Sequence, residues 1–302
     1  MRIAITGADG FVGRHLCALL REHGDDPVEL TGPRREGHPA AAHGMPVDVT
    51  DAAAVANALS DPRLDAVIHL AGFSSVGKSH EAPGAAFAVN AVGTVNVLRA
   101  ARTRRVLVIG SGEMYGAVEP GTRANEGHPL RPLSPYAASK VAAEVAALQF
   151  HRSYAADVVC ARPFNHLGPG QDPSFVVPAF AAQLLEIKRG RAEPVVRVGN
   201  LEPVRDFSHV RDVVEAYRLL LEKGRAGEAY NVCSGRGQSI RDLLDRMIEL
   251  TGVRAKVEVD PARIRPVDLP SLVGDPSKLI ALGWRPRRTA QDALTEVLAA
   301  GS

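Results

Sequence analysis

The chain opens Met1-Arg2-Ile3-Ala4-Ile5-Thr6-Gly7-Ala8-Asp9-Gly10-Phe11-Val12-Gly13, a short β-branched run that leads straight into a glycine-rich turn. Residues Phe11 to Glu22 then carry a helical pattern. Strand, glycines and helix in that order form the first half of a βαβ unit, which requires a parallel sheet with helices on its faces. Gly7 permits the tight turn, Gly10 lets the backbone approach a pyrophosphate, and Gly13 lets the helix lie close to the strand. The free N–H groups at the helix start, around Phe11 and Val12, then face the phosphates. The spacing is GxxGxxG rather than GxGxxG. Three glycines alone are also turn punctuation; their order between strand and helix makes them a dinucleotide site.

The alternation continues downstream. Strands are expected at Val28–Thr31, Val47–Val49, Ala66–Leu70, Val106–Gly110 and Val158–Arg162. Helices are expected at Ala52–Leu59, Asn90–Ala101 and Pro135–Ser153. After Pro163-Phe164-Asn165 the rhythm loosens. A helix at Val177–Lys188, a strand at Val195–Val198 and Gly/Pro-rich connections suggest a smaller lobe at the carboxyl edge of the sheet, and a helix at Val210–Leu221 is expected to pack back on the nucleotide domain. Thr289 and Asp292 have the spacing of a capping box for the last helix. A chain of 302 residues that is 45% hydrophobic can bury such a core. The formal charge of +2 gives no electrostatic case for nucleic acid or an anionic membrane. Cys17, Cys160 and Cys233 are far apart and form no CxxC, which argues for buried thiols in a reducing compartment rather than disulfides or a metal site. No run of about 18 apolar residues occurs and residue 2 already begins a strand, so the cytoplasm is the expected location.

Ligands of such sheets bind at the carboxyl ends of the strands, where the strand order reverses. Asp48, followed by Val49, can accept from an adenine amino group or cap the next helix. Leu70, Ala71 and Gly72 let the backbone approach a cofactor ribose. Ser111 and Glu113 follow the fifth strand: the serine is a turn residue or a ligand of a reacting oxygen, the glutamate a substrate ligand, a base or an ion-pair partner. Tyr136 and Lys140 stand one helical turn apart and put a phenol and an ammonium on one face. A nearby cation lowers a phenol pKa, and moving it from about 10 to neutrality takes about 4 kcal/mol. An isolated YxxxK is more often a surface pair; behind this glycine turn it is a catalytic one.

Together these residues resemble the extended short-chain dehydrogenase/reductases that act on nucleotide sugars. The parts are Gly7-xx-Gly10-xx-Gly13, Asp48, Asn90-Ala91-Val92-Gly93-Thr94, Ser111 and Tyr136-xxx-Lys140. The segments RPFNHLGPGQ (162–171), FVVPAFAAQLLEI (175–187), VGNLEPVRDF (198–207), YNVCSG (230–235) and RPVDLPSLVGDPSKL (265–279) are similar to GDP-4-dehydro-6-deoxy-D-mannose reductases, which form GDP-D-rhamnose. The resemblance implies a Rossmann-like doubly wound sheet with a smaller C-terminal α/β substrate-binding lobe. Residues 1–162, with returning segments near 207–232, would form the NADP-binding domain; 163–206 and 233–302 would form the substrate lobe. Tyr136 would donate a proton to the C4 oxygen of a 4-keto sugar as the nicotinamide delivers hydride. Lys140 would hold the nicotinamide ribose and lower the Tyr136 pKa, and Ser111 would steady the alkoxide. Asn90 and Arg162 would join the cofactor site. Asn165 would touch the sugar or its first phosphate, and Arg205 and Arg265 would clamp the pyrophosphate. The stretch from Val177 to Glu186, with Gln183, would border the guanine.

Two departures matter. Thr31 stands where members that prefer NAD place an acid, and Arg34 and Arg35 follow it, so NADPH is the expected cofactor, with NADH possible. Dehydratases of this superfamily place a hydroxyl or acid before the glutamate, and here that residue is Gly112. Three readings compete: a 4-keto-sugar reductase; a 4,6-dehydratase or epimerase that returns its hydride; and a dinucleotide-sensing protein, which would need none of Ser111, Tyr136 and Lys140. Helix 135–153 carries apolar residues around most of its circumference. With helix 90–101 it is expected to form the four-helix interface of a homodimer, unless the C-terminal lobe covers the second stripe.

Overall fold

The computed structural model describes residues 1–33, 44–119, 121–264 and 269–301. In chain order the first half comprises β1 (Arg2–Thr6), α1 (Phe11–Glu22), β2 (Asp26–Thr31), β3 (Met45–Pro46), α2 (Ala52–Ala58), β4 (Ala66–His69), α3 (Val76–Glu81), α4 (Pro83–Phe87), α5 (Gly93–Ala100), β5 (Arg105–Ile109) and α6 (Pro135–Tyr154). The second half comprises β6 (Val158–Pro163), β7 (Asn165–Leu167), α7 (Val176–Lys188), β8 (Val195–Val198), β9 (Val204–His209), α8 (Val210–Lys223), β10 (Ala229–Val232), β11 (Gly237–Ser239), α9 (Ile240–Thr251), β12 (Lys256–Val259), β13 (Ser271–Leu272), α10 (Ser277–Ala281) and α11 (Ala290–Ala300).

Seven strands make one sheet in the order β10-β6-β5-β4-β1-β2-β3, and every pairing in it is parallel. The order reverses between β1 and β4, which places a crevice at their carboxyl ends. Side chains alternate across each strand. Ile3 and Ile5 pack with α1 and α8 on one face, while Ala4 packs with residues of α2, α5 and α6 on the other. Burial on both faces explains why these strands are nearly continuous apolar runs.

Three local expectations change. The third strand is Met45–Pro46, not Val47–Val49. The Val47 N–H still donates to the Thr31 carbonyl at 2.9 Å, but Asp48 then turns the chain by accepting from the Thr50 N–H and hydroxyl at 2.9 and 2.8 Å. Val47 and Val49 are apolar because they are core residues. The helix expected from Asn90 starts earlier, at Pro83, and contains a π-turn over Ala88–Val92 before α5. Such turns re-aim one side chain, here Asn90, which is buried. Finally, β10 is a seventh strand where none was expected.

Beyond the sheet, a third apolar cluster joins α7, α9 and α11 with Val196, Val198 and Phe207. The capping box at Thr289 and Asp292 is present: Asp292 N–H donates to the Thr289 hydroxyl at 3.2 Å and Thr289 N–H to the Asp292 carboxylate at 2.8 Å. Among the described residues no helix is long and apolar enough to cross a membrane.

Candidate active site

A cavity of about 1060 Å³ opens along the carboxyl ends of the parallel strands. Gly7, Gly10, Phe11, Val12 and Gly13 line one end of it. Gly7 has φ +70°, and a Cβ there would lie 2.8 Å from the Ala71 nitrogen; a Cβ on Gly13 would lie 2.3 Å from the Gly7 carbonyl oxygen. Only glycine allows β1, the β4 loop and α1 to meet this closely. No side chain caps α1, so its first N–H groups are left for a ligand in the cavity. Thr31, Asp48, Val49, Leu70, Ala71 and Gly72 continue the wall. This shape suits an extended dinucleotide, with phosphates at the helix start.

A buried hydrogen-bond chain holds the Ala71–Phe73 loop. The Ala71 N–H donates to Thr6 Oγ1 at 3.1 Å, and Thr6 Oγ1 lies 2.7 Å from His69 Nδ1. His69 Nε2 is 3.1 Å from Thr94 Oγ1, which donates to the Asn90 carbonyl. Since the Thr94 hydroxyl proton goes to the Asn90 carbonyl, Nε2 of His69 is the donor to Thr94 and Nδ1 the acceptor from Thr6, and burial drives the His69 pKa down to about 3. Asn90 accepts from the Phe73 N–H at 2.8 Å and donates to Phe73 O and to Ser139 Oγ, and Ser139 Oγ donates to the Tyr136 carbonyl. Asn90 is absent from the cavity wall. Its contacts place it behind the wall, shaping the loop and α6 together.

Ser111, Glu113 and Tyr136 line the other end of the cavity. Ser134 caps α6 by accepting from the Ala137 N–H, and Pro135 occupies its first turn. Ser111 begins a 3₁₀ turn, Gly112–Tyr115. Its hydroxyl accepts from the Glu113 N–H at 3.2 Å, and Ser111 shares the cavity wall with Tyr136. One expectation is corrected: Lys140 does not lower the phenol pKa in this arrangement. Burial pushes Tyr136 up to about 12, with the Ser111 hydroxyl pulling it down and the Glu113 carboxylate pushing it up. Lys140 Nζ instead donates to the Ile109 carbonyl at 2.8 Å, and burial lowers its pKa to about 8. A Cβ on Gly72 would come within 3.2 Å of that nitrogen, so the ammonium sits directly behind the cavity wall.

The model of the family described as GDP-mannose 4,6 dehydratase matches residues 4–297. The chain belongs to the nucleotide-sugar short-chain dehydrogenase/reductase family. A family relative, GDP-6-deoxy-D-mannose reductase of Pseudomonas aeruginosa, is 37% identical over 98% of this chain and 96% of its own. The solved structure of RMD from the same organism, complexed with NADPH, has a TM-score of 0.88 at 35% identity and covers 99% of this chain and 98% of that one. UDP-glucose 4-epimerase of Thermus thermophilus, complexed with NAD, has a TM-score of 0.87 at 34% identity, with 100% and 99% covered.

The substrate-side residues divide. Asn165 lines the cavity. Val177 is fully buried in the third apolar cluster, and Gln183 is engaged by the Arg197 backbone, accepting from its N–H at 2.9 Å and donating to its carbonyl at 3.2 Å. Neither is on the wall, because α7 turns that stripe inward and onto β8. Arg205 is buried and donates to the Leu269 and Val204 carbonyls. Arg162 is also off the wall, its guanidinium held by Glu144. Arg34, Arg35 and Arg265 lie outside the described residues. The wall also contains Ser74, Ser75, His166, Gln171, Ser174 and Phe175, which sequence analysis passed over. Apart from His166, on the three-residue strand β7, these are loop residues without periodicity, and only the capping position of Ser75 before α3 carries a local signal. Gly112 acquires a steric meaning: a Cβ there would lie 2.9–3.1 Å from the Phe164 ring. The ring fills the space that a hydroxyl or acid at 112 would need.

Proposed function

We propose that this enzyme reduces the C4 ketone of GDP-4-dehydro-6-deoxy-D-mannose to give GDP-D-rhamnose, using NADPH in preference to NADH. The observation that carries the reading is that Ser111 and Tyr136 line the same dinucleotide-shaped cavity as the glycine turn, in a chain 37% identical to a GDP-6-deoxy-D-mannose reductase. A bound nicotinamide supplies the hydride. The Tyr136 phenol, protonated across the neutral range, donates its proton to the carbonyl oxygen. Ser111 shares that oxygen and stabilises the charge that develops there. Lys140, a step behind Gly72, would hold the ribose hydroxyls of that cofactor. The filled space beside Gly112 disfavours the dehydratase alternative, because it leaves no room for a second acid next to Glu113.

Incubation with NADPH and GDP-4-keto-6-deoxymannose tests this reading. Stoichiometric loss of reduced-nicotinamide absorbance is expected. Product formed from GDP-mannose with only catalytic cofactor would establish the dehydratase reading instead.

Cofactor choice rests on Thr31, which lines the cavity without a charge. Replacing Arg34 and Arg35 with alanine is expected to weaken NADPH binding and leave NADH almost untouched, since only NADPH carries the 2′-phosphate. Equal losses in titrations with the two cofactors would contradict it.

The same reading includes a homodimer in the cytoplasm. Phe87, Val92 and Val145 on the α4–α5 run and α6 are 40%, 52% and 58% exposed, so no other described part of the chain covers this apolar stripe. A second copy pairing these helices would bury it. All three cysteines are buried and unpaired, in keeping with a reducing compartment. Light scattering is expected to report twice the 32.1 kDa chain mass; a stable monomer at micromolar concentration would refute the interface.

A further inference from the structure

Arg162 is 6% exposed and sits on β6 with no cavity contact, yet every part of its guanidinium is engaged. Its Nε and Nη2 donate to the two oxygens of Glu144 at 2.9 and 2.6 Å. Its Nη1 donates to the Tyr115 hydroxyl at 2.7 Å and to the Glu126 carbonyl at 3.1 Å. The Tyr115 hydroxyl donates onward to Asn231 Oδ1 at 2.7 Å, and the Asn231 N–H donates to Glu126 Oε1 at 2.7 Å. Glu144, Tyr115 and Asn231 are 2%, 1% and 0% exposed.

The placement of these partners is the informative part. Glu144 follows Tyr136 and Lys140 at the next step of the same i, i+4 stripe of α6. Tyr115 ends the 3₁₀ turn that carries Ser111 and Glu113. Arg162 itself precedes Phe164 and Asn165, which line the cavity. One planar fork therefore joins the helix that carries Tyr136, the turn that follows Ser111 and the strand that leads to Asn165. An apolar set of similar volume would fill this core without loss of stability, and often with a gain. It would not fix a direction, whereas paired N–H···O bonds set both distance and orientation.

We infer that Arg162 is a positioning residue: through Glu144 and Tyr115 it sets the register of the Tyr136 helix against the Ser111 turn. The inference rests on the reductase reading above for its activity measurement only. The test is the double variant Arg162→Met/Glu144→Met, which removes both buried charges at once, beside Tyr115→Phe, which removes one hydroxyl. For the double variant, a Tm close to wild type is expected. A kcat lower by about ten- to a hundredfold is expected with the KM for NADPH little changed, the scale of a misplacement of about 1 Å. Amide hydrogen exchange over residues 112–116 and 137–144 of the full chain is expected to quicken. Tyr115→Phe is expected to lower kcat several-fold at unchanged KM. Wild-type kcat together with wild-type exchange in the double variant would overturn the inference; if that variant fails to fold, wild-type kcat in Tyr115→Phe overturns it alone. A wild-type protein inactive on the 4-keto sugar would sink the reductase reading, and the exchange rates would still decide the role of Arg162.

Discussion

Tyr136→Phe is expected to lower kcat by about two to four orders of magnitude with little change in substrate affinity, because the proton is needed only in the transition state. The lost group is a single hydroxyl, and α6 keeps its cap at Ser134, so Tm should hold. Steady-state kinetics decide the matter: a variant within about tenfold of wild type would remove Tyr136 from the role of acid. The pH profile adds a sign. The phenol stays protonated up to about 12, so it remains a competent donor throughout the working range. Lys140 loses its proton near 8; its positive charge is present below that value and lost above it. The reductive rate is therefore expected to fall as pH rises through about 8, and Lys140→Met should flatten that limb while raising the KM for the cofactor.

Gly13→Ala should damage both stability and cofactor affinity. The new methyl would meet the Gly7 carbonyl oxygen at 2.3 Å and the Ala8 carbonyl oxygen at 2.6 Å. Both are backbone atoms, so no side chain can swing aside and α1 must lift from β1. Overpacking of this kind costs about 1–3 kcal/mol, and it moves the helix N-terminus that faces the phosphates. A thermal melt and an NADPH fluorescence titration should both shift; an unchanged melting temperature would mean that the helix does not sit as close as described.

The parts of this molecule that were legible in advance share one property: their signals are local. Gly7, Gly10 and Gly13 announce a turn because backbone conformation and steric clearance are decided within a few residues. The YxxxK spacing places Tyr136 and Lys140 on one face because helical geometry does so in any context. The central strands β1, β4, β5 and β6 are visible as apolar runs because they are buried on both faces. Where the local rule failed, tertiary packing had supplied the pattern: Val47 and Val49 look like a strand but are core residues on a turn, and Val177 looks like a ligand segment but faces the core of the third cluster.

The sequence by itself determined the βαβ order, the glycine cradle, the tyrosine and lysine on one face of α6 and the family. Tertiary structure decided which side chains face one another. Arg162 meets Glu144 across 18 positions and Tyr115 meets Asn231 across 116, and no periodicity spans such separations. The same holds for the environment of each titratable group. The Tyr136 phenol is raised, not lowered, because burial and the Glu113 charge outweigh the Ser111 hydroxyl, and solvation depends on everything packed around a group rather than on its neighbours along the chain.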